Sequence, residues 1–469
     1  MQALDHTATY LEGPFAPVPD EASLDGLEVE GRLPPELDGM FVKNSPNARF
    51  APEGRYHWFD GDGMVHGVRL RDGRASYVNR WVRTRAFGHE AQAGRALWRG
   101  IMEPVDLANP LGPAKDTANT DVTWHAGKLL ATWWLSGEPY ELAVPSLETV
   151  GPCRMGGERA PRFASHPKVC PVTGELVVFD YSAVKAPYLR YGVATKDGQL
   201  GRLAPIELPG ARLLHDLAIT TNHTIFFDFP MMWRSDKLEA GKRRVVFDRD
   251  TPARFGVLPR HADGAQPRWF EASPCYAYHT VNAWEEGRTI VIVAARIEDP
   301  LPVDRERSVT PDPRVPRLDS IQLVPFLHRW RLDLDTGAVS EERLDDRPTE
   351  FPRVNPARVG RPSRFAWNVT LAPTARLLFE GLVKYDLATG RSTARSWGPG
   401  RWGTEAVFAA RPGATAEDDG WILCQLTLEG EERAELVVLD AADLEALPVA
   451  TVKIPRRVPV GFHTTWVPG

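Results

Sequence analysis

The chain has 469 residues and a mass of 52.2 kDa. Charged residues make up 25%, the formal net charge is -6 and no Lys/Arg block stands out, which excludes nucleic-acid binding by bulk charge. Hydrophobic residues at 43% with 15 Trp exclude wholesale disorder, and 39 Gly with 41 Pro exclude a helical bundle. The N-terminal stretch MQALDHTATYLEGPF has neither a basic start nor an apolar run. No signal or transit peptide is therefore expected, and a cytoplasmic location is. The densest apolar stretches, Lys128–Leu135 and Thr289–Ala295, fall short of the ~18 residues of a membrane-spanning helix. Cys153, Cys170, Cys275 and Cys424 form no CxxC pair, so neither a thiolate zinc site nor a disulfide framework is expected, in keeping with a reducing cytoplasm.

Along the chain, short runs rich in branched and aromatic residues predict strands at Glu175–Phe179, Thr224–Asp228, Thr289–Val293 and Glu435–Leu439. Thr-Gly and Asp-Gly turns punctuate them, at Thr173-Gly174, Asp197-Gly198, Thr336-Gly337 and Thr389-Gly390. The best helical pattern is a short one over Ser235–Lys242. WRLDLDTG from Trp330, VKYDLATG from Val383 and VVLDAADL from Val437 recur with their central aspartates, Asp333, Asp386 and Asp440, 53 and 54 residues apart. Strand–turn sequences look alike in many β proteins, so the recurrence alone leaves a repeat open. As a blade period of ~45–55 residues it gives room for about seven propeller blades plus insertions. The length prior of ~100–200 residues per domain suggests two or three domains. No Ser- or Gly-rich linker splits the chain, so the expectation is one domain over 1–469, with an N-terminal extension to about residue 30 and cap insertions.

Of twelve histidines, four stand in distinctive settings: Ala164-Ser-His166-Pro-Lys, Leu213-Leu-His215-Asp-Leu, Tyr276-Ala-Tyr-His279 and Gly461-Phe-His463. Their gaps of 49, 64 and 184 residues are each close to whole blades. The inner strands of a propeller face its axis, so such histidines can converge on one point. Four neutral imidazoles suit a borderline first-row divalent metal. On spacing alone, an axial metal site and four unrelated core histidines both stand.

Longer motifs decide between them. Gly31-Arg-Leu-Pro-Pro-Glu-Leu-Asp-Gly39, Asn44-Ser-Pro-Asn47, His57-Trp-Phe-Asp-Gly-Asp-Gly-Met-Val-His66 and Ala118-Asn-Thr120 come first. His166-Pro-Lys-Val-Cys-Pro-Val-Thr-Gly-Glu175, His215-Asp216 and His279-Thr-Val-Asn-Ala-Trp-Glu285 follow. Glu350-Phe-Pro-Arg353, Glu417-Asp-Asp-Gly-Trp-Ile-Leu-Cys424 and Pro455-Arg-Arg-Val-Pro-Val-Gly-Phe-His463 complete the set. In this order the sequence resembles the carotenoid cleavage oxygenase family over nearly its whole length. The resemblance implies an all-β fold, a seven-bladed β-propeller with a cap of loops and short helices over an axial metal site. It implies one Fe(II) held by His166, His215, His279 and His463, and oxidative cleavage of a carbon–carbon double bond by O2 to two carbonyl products.

Metal-bound histidines usually donate their other ring N–H to a carboxylate or carbonyl. The resemblance assigns Glu350 to His279 and Glu405 to His463. A third family glutamate lies fourteen residues after the Asn-Thr threonine, and counting from Thr120 reaches Trp134 in Leu129-Leu-Ala-Thr-Trp-Trp-Leu-Ser-Gly-Glu-Pro139. One inserted residue would make the match Leu135, and only a different chain path would let Glu138 serve. Thr120 matches a threonine near the open iron positions, with a locally satisfied strand hydroxyl as the alternative.

Relatives act on carotenoids, apocarotenoids, stilbenes and phenylpropenes. The Lys and Tyr with which stilbene cleavers hold a phenol correspond to Trp133 and to the neighbourhood of Met102, so both polar handles are absent. Tyr181-Ser-Ala-Val-Lys-Ala-Pro-Tyr-Leu-Arg-Tyr191 looks more like the apocarotenoid and epoxycarotenoid cleavers, so a carotenoid-derived polyene leads. The bulk of Trp133 and Trp134 keeps a short aryl alkene, of stilbene, isoeugenol or vinylphenol type, as the alternative; an iron-dependent isomerase and a non-catalytic binding propeller come after. The expected partners are a small hydrophobic alkene and O2, with no nucleic acid. A peripheral membrane contact is expected at Phe229-Pro-Met-Met-Trp-Arg-Ser-Asp-Lys-Leu238, which mixes apolar and basic residues, with a buried loop as the alternative. No oligomer is predicted.

Overall fold

The apolar runs become strands. The computed structural model describes residues 10–234, 236, 245–262, 264–301, 312–318 and 321–469. The four predicted strands lie within Leu176–Tyr181, His223–Asp228, Thr289–Ile297 and Ala434–Asp440. One α-helix occurs among the described residues, Arg85–Ala93, started by Thr84, whose Oγ1 accepts the Phe87 N–H at 3.0 Å, and ended by left-handed Gly94. The helix predicted over Ser235–Lys242 lies almost wholly outside the described residues. No described helix is long and apolar enough to cross a membrane.

Antiparallel meanders follow one another along the chain. Asp121–His125, Lys128–Thr132, Tyr140–Leu142 and Thr149–Pro152 form a four-stranded sheet. Lys168–Val169, Leu176–Tyr181, Leu189–Ala194 and Ala204–Ile206 form the next. Leu217–Ile219, His223–Asp228, Ala253–Pro259 and Arg268–Ala272 form another. A seven-stranded sheet then runs from Tyr276–Glu286 to Arg391–Ser396. The long strand Val339–Arg353 joins its two halves, pairing first with Phe326–Asp333 and then with Phe365–Leu371. Gly420–Leu428, Ala434–Asp440 and Ala450–Ile454 build the last sheet. The chain closes on itself, because Thr464–Pro468 pairs with Gly39–Asn47 in the first sheet.

Burial on both faces explains why the strand sequences read as continuous apolar runs. Along Leu176–Tyr181, Leu176 and Val178 pack with Leu130, Cys153 and Phe163 of the preceding sheet. Val177 and Phe179, on the other face, pack with Leu217, Ile219 and Phe226 of the following one. Phe41, Val68 and Tyr77 of the first sheet likewise meet Trp421, Leu423 and Leu436 of the last. The core is therefore a series of layers between successive sheets, each buried large side chain contributing about 1.5–3 kcal/mol.

The recurring aspartates have a local cause. Asp333, Asp386 and Asp440 each end a strand. Each turns the chain by accepting a backbone N–H two residues on, from Asp335 at 2.9 Å, Ala388 at 3.1 Å and Ala442 at 2.8 Å. The described residues from 10 to 31 pack onto the sheets. Ala22–Leu24 and Val29–Gly31 supply edge strands to the first and last sheets, and Tyr10 stacks on Trp58.

Candidate metal centre

The four distinctive histidines come from edge strands of four different meanders. His166 and His215 stand just before Lys168–Val169 and Leu217–Ile219, His279 lies within Tyr276–Glu286, and His463 directly precedes Thr464–Pro468. Local irregularities turn the rings to one side. The ladder slips between Ala277 and Thr280, at His279. His166 takes left-handed backbone, φ 66°, a strain of about 1–3 kcal/mol in a non-glycine residue, and its N–H is held by Asp121 Oδ2 at 3.2 Å.

The imidazoles converge. Ring centroids lie 4.4 Å apart for His166–His463, 4.7 Å for His279–His463, 4.8 Å for His166–His215 and 5.1 Å for His215–His279. One ring nitrogen from each lies within 4.8 Å of the others, and all four residues are buried. Burial, then the neighbouring imidazoles, holds His166, His215 and His279 well below the ordinary histidine value. They are neutral, with lone pairs free to bind a metal.

Carboxylates sit behind the rings. Glu350 Oε2 is 2.6 Å from His279 Nδ1, and Glu405 Oε1 is 3.1 Å from His463 Nδ1. These bonds place the proton on Nδ1 and leave Nε2 as the donor atom. Asp121 Oδ2 lies 3.6 Å from His166 Nδ1, a carboxylate that the motif reading did not single out. Burial raises the Glu405 carboxyl, but Arg353 at 2.6 Å and then His463 outweigh it and hold it at about 2. Burial raises Glu350 to about 8.

These residues fit a divalent metal. Nε2 of His166 and of His279 are buried with no hydrogen-bond partner, an arrangement that is costly unless a cation accepts their lone pairs. A dication there would also hold Glu350 in its charged form, which favours the bond to His279.

A small apolar cavity opens beside the rings. Thr120, Phe59, Tyr278, Phe351 and Phe462 line it together with His215, His279 and His463. The Thr120 hydroxyl donates to Asn119 Oδ1 at 3.0 Å and accepts the Trp134 N–H at 3.2 Å. That bond fixes Trp134 beside Thr120, and its indole packs on Phe59 at 5.4 Å. Trp133 and Leu135 instead line a second pocket that shares Phe59. Trp134 lines neither cavity; its indole packs behind Phe59, which lines both. The His215 ring has no hydrogen-bond partner among the described residues and packs edge-on against Tyr278 at 4.8 Å. Glu138 does not serve it, because Glu138 is ion-paired with Arg85 at 2.8 Å.

Two further segments singled out in the sequence have the following surroundings. Met102 is not part of either cavity wall; Gly100 and Ile101 line the second pocket, and the Met102 carbonyl accepts a bond from Arg55. The described part of the expected interfacial patch is no exposed apolar face. Phe229 and Met231 are buried in the main core cluster, while Lys237 and Leu238 lie outside the described residues. Phe229 stacks on Phe227, which is why a run that reads as amphipathic is core.

Comparison with known proteins identifies this arrangement. The family model described as retinal pigment epithelial membrane protein matches residues 15–468. The chain is 37% identical over 519 residues to a carotenoid cleavage oxygenase of Mycobacterium tuberculosis, covering 100% of this chain and 99% of that one. It is 36% identical over 501 residues to a carotenoid 9,10(9',10')-cleavage dioxygenase of Pisum sativum, covering 98% and 90%. The crystal structure of a lignostilbene dioxygenase from Pseudomonas brassicacearum superposes with a TM-score of 0.87 at 29% identity over 98% of each chain. Matched from near its start to its end in sequence and in fold, the chain belongs to the carotenoid cleavage oxygenase family.

Proposed function

We propose that the protein is an Fe(II)-dependent dioxygenase that cleaves a carbon–carbon double bond of a carotenoid or apocarotenoid, with one iron per chain on His166, His215, His279 and His463. The observation that carries this reading is the convergence of four buried imidazoles, two with a carboxylate at Nδ1. When bound, ferrous iron supplies the activation of O2. One alkene and one O2 are consumed, the C=C and O–O bonds break, and two carbonyls form with no further reductant.

The protein's own residues supply position and dryness. Phe59, Leu318, Leu323, Phe351, Leu377 and Phe462 give the alkene an apolar wall and keep water from it. The Thr120 hydroxyl donates to Asn119 and accepts from Trp134, so Thr120 lines the cavity beside the rings without a free O–H donor. The whole chain is read as one seven-bladed propeller with the site on its axis. Supporting this, strand Lys168–Val169 runs beside Leu217–Ile219, and Leu217–Ile219 beside Tyr276–Glu286. Tyr276–Glu286 runs in turn beside Val339–Arg353, and Thr464–Pro468 beside both Val407–Ala410 and Asp121–His125.

The aromatic rings Phe59 and Phe462 in the wall, with Trp134 packed behind Phe59, favour one second reading, a short aryl alkene cleaved to an aromatic aldehyde by the same chemistry. Aerobic incubation of iron-loaded protein with apocarotenals, hydroxystilbenes and propenylphenols, with products identified by mass, tests both. Two carbonyl fragments from the first class support the leading reading, and fragments from the aryl alkenes alone support the second. Trp134→Ala should remove the backing of Phe59. It is expected to raise kcat/KM for bulky polyenes relative to short alkenes by ~10-fold, the scale of discrimination by one small apolar group. Metal analysis should find its iron content close to the parent's. A Trp134→Ala enzyme with the parent's substrate range would show that the packing of Trp134 behind Phe59 does not shape the pocket.

A further inference from the structure

The histidine motifs share a feature that ligation does not use: each of three histidines is followed closely by a polar residue, in His166-Pro-Lys168, His215-Asp216 and His279-Thr280. These three polar residues meet. Lys168 Nζ lies 2.6 Å from Asp216 Oδ1, and Asp216 is almost wholly buried, at 2% side-chain exposure. Asp216 Oδ2 accepts the Thr280 backbone N–H at 2.8 Å and the Thr280 hydroxyl at 2.7 Å. Asp216 Oδ1 also accepts the Leu217 N–H at 2.8 Å.

We infer that Asp216 is a positioning residue for the metal centre, tying the edge strands that carry His166, His215 and His279 to one another. The inference builds on the metal site proposed above. It gives a physical account of how His215 is held although no carboxylate reaches its ring. A ligand can be oriented through its ring nitrogen or through the backbone that carries it. His279 and His463 have carboxylates at Nδ1; at His215 the adjacent side chain anchors the backbone instead. The carboxylate has four bonds to three strands, so it restricts their relative displacement. Charge-assisted bonds are roughly twice as strong as neutral ones, which makes Asp216 suited to this task.

The arrangement repeats in kind around the centre. Asp121 accepts the His166 N–H at 3.2 Å, and Glu405 accepts the Thr464 N–H, next to His463, at 2.7 Å. Asp216 alone among these joins three histidine-bearing strands.

The test measures metal binding without turnover. Apo protein is titrated anaerobically with Co(II), recording the dissociation constant and the visible ligand-field bands, and thermal unfolding is followed in parallel. Asp216→Ala should weaken Co(II) binding ~10–100-fold, as loss of a ligand-orienting partner usually does, and shift or broaden the bands. Thr280→Val and Lys168→Met should move the same two readouts in the same direction by less, and Thr280→Ser should restore them. If Asp216→Ala does not fold, these three variants carry the test. Parent-like Co(II) affinity and bands in the variants, even with a lowered Tm, would make the network merely structural and overturn the inference. A parent that binds no Co(II) overturns both this inference and the metal site. A parent that binds Co(II) through an Asp216-dependent site, yet cleaves no alkene when iron-loaded, overturns the proposed reaction alone.

Discussion

Alanine in place of any one of His166, His215, His279 or His463 is expected to abolish alkene cleavage and to leave the purified protein with far less than the parent's iron. The four rings supply the only cluster of metal-ligating groups among the described residues, with ligand atoms within 4.8 Å of one another. Removing one leaves three donors and a buried gap in which water replaces imidazole. The loss should exceed the ~10–100-fold typical of an outer orienting partner. The fold should survive, because the edge strands beside or around each histidine are held by backbone ladder bonds that the imidazoles do not make. Circular dichroism at the parent's intensity, beside lost iron and lost turnover, checks this. Any variant that keeps full iron and full activity removes its histidine from the ligand set.

Glu350→Gln and Glu405→Gln are expected to cost ~10–100-fold in iron affinity or turnover. The two changes act differently. Glu350 makes a 2.6 Å bond to His279 Nδ1, and the amide that replaces it accepts less strongly, so ligand basicity falls. Glu405 holds the His463 ring at 3.1 Å, the Thr464 N–H at 2.7 Å and the Arg353 guanidinium at 2.6 Å. Its replacement loosens a strand as well as a ring, so Glu405→Gln should show the larger loss. Iron titration by equilibrium dialysis with steady-state kinetics measures both. Parent-like values in both variants would show that the carboxylates do not orient the ligands.

The strand runs were legible because burial on two faces leaves a simple apolar signature, as in Leu176–Tyr181. The repeated aspartates were legible because each accepts a backbone N–H two residues on, a local bond that needs no distant partner. The four histidines and Glu350 and Glu405 could be picked out through motif order. Pairing across distance was not legible. Asp121, Lys168, Asp216 and Thr280 lie in separate motifs, and no periodicity says that their side chains meet. The bond from the Trp134 N–H to Thr120, fourteen residues back, and the packing of Trp134 behind Phe59 were not legible either, because sequence spacing alone reveals neither. Phe229 and Met231 could be read two ways, as interface or as buried loop, since a short apolar run beside basic residues has the same composition in both settings; both are buried. The strand Val339–Arg353, shared by two meanders, begins with exposed polar residues and ends with buried ones, and it carries no simple alternation to announce it.

The most direct test of the account is a reaction of iron-loaded protein with one alkene under 18O2, with metal content and product masses measured on the same sample. About one iron per chain is expected, with two carbonyl products from each alkene consumed, carrying oxygen-18 from the gas. A product that keeps the mass of the parent alkene, or no consumption of any alkene by protein that holds iron on the four histidines, would contradict it.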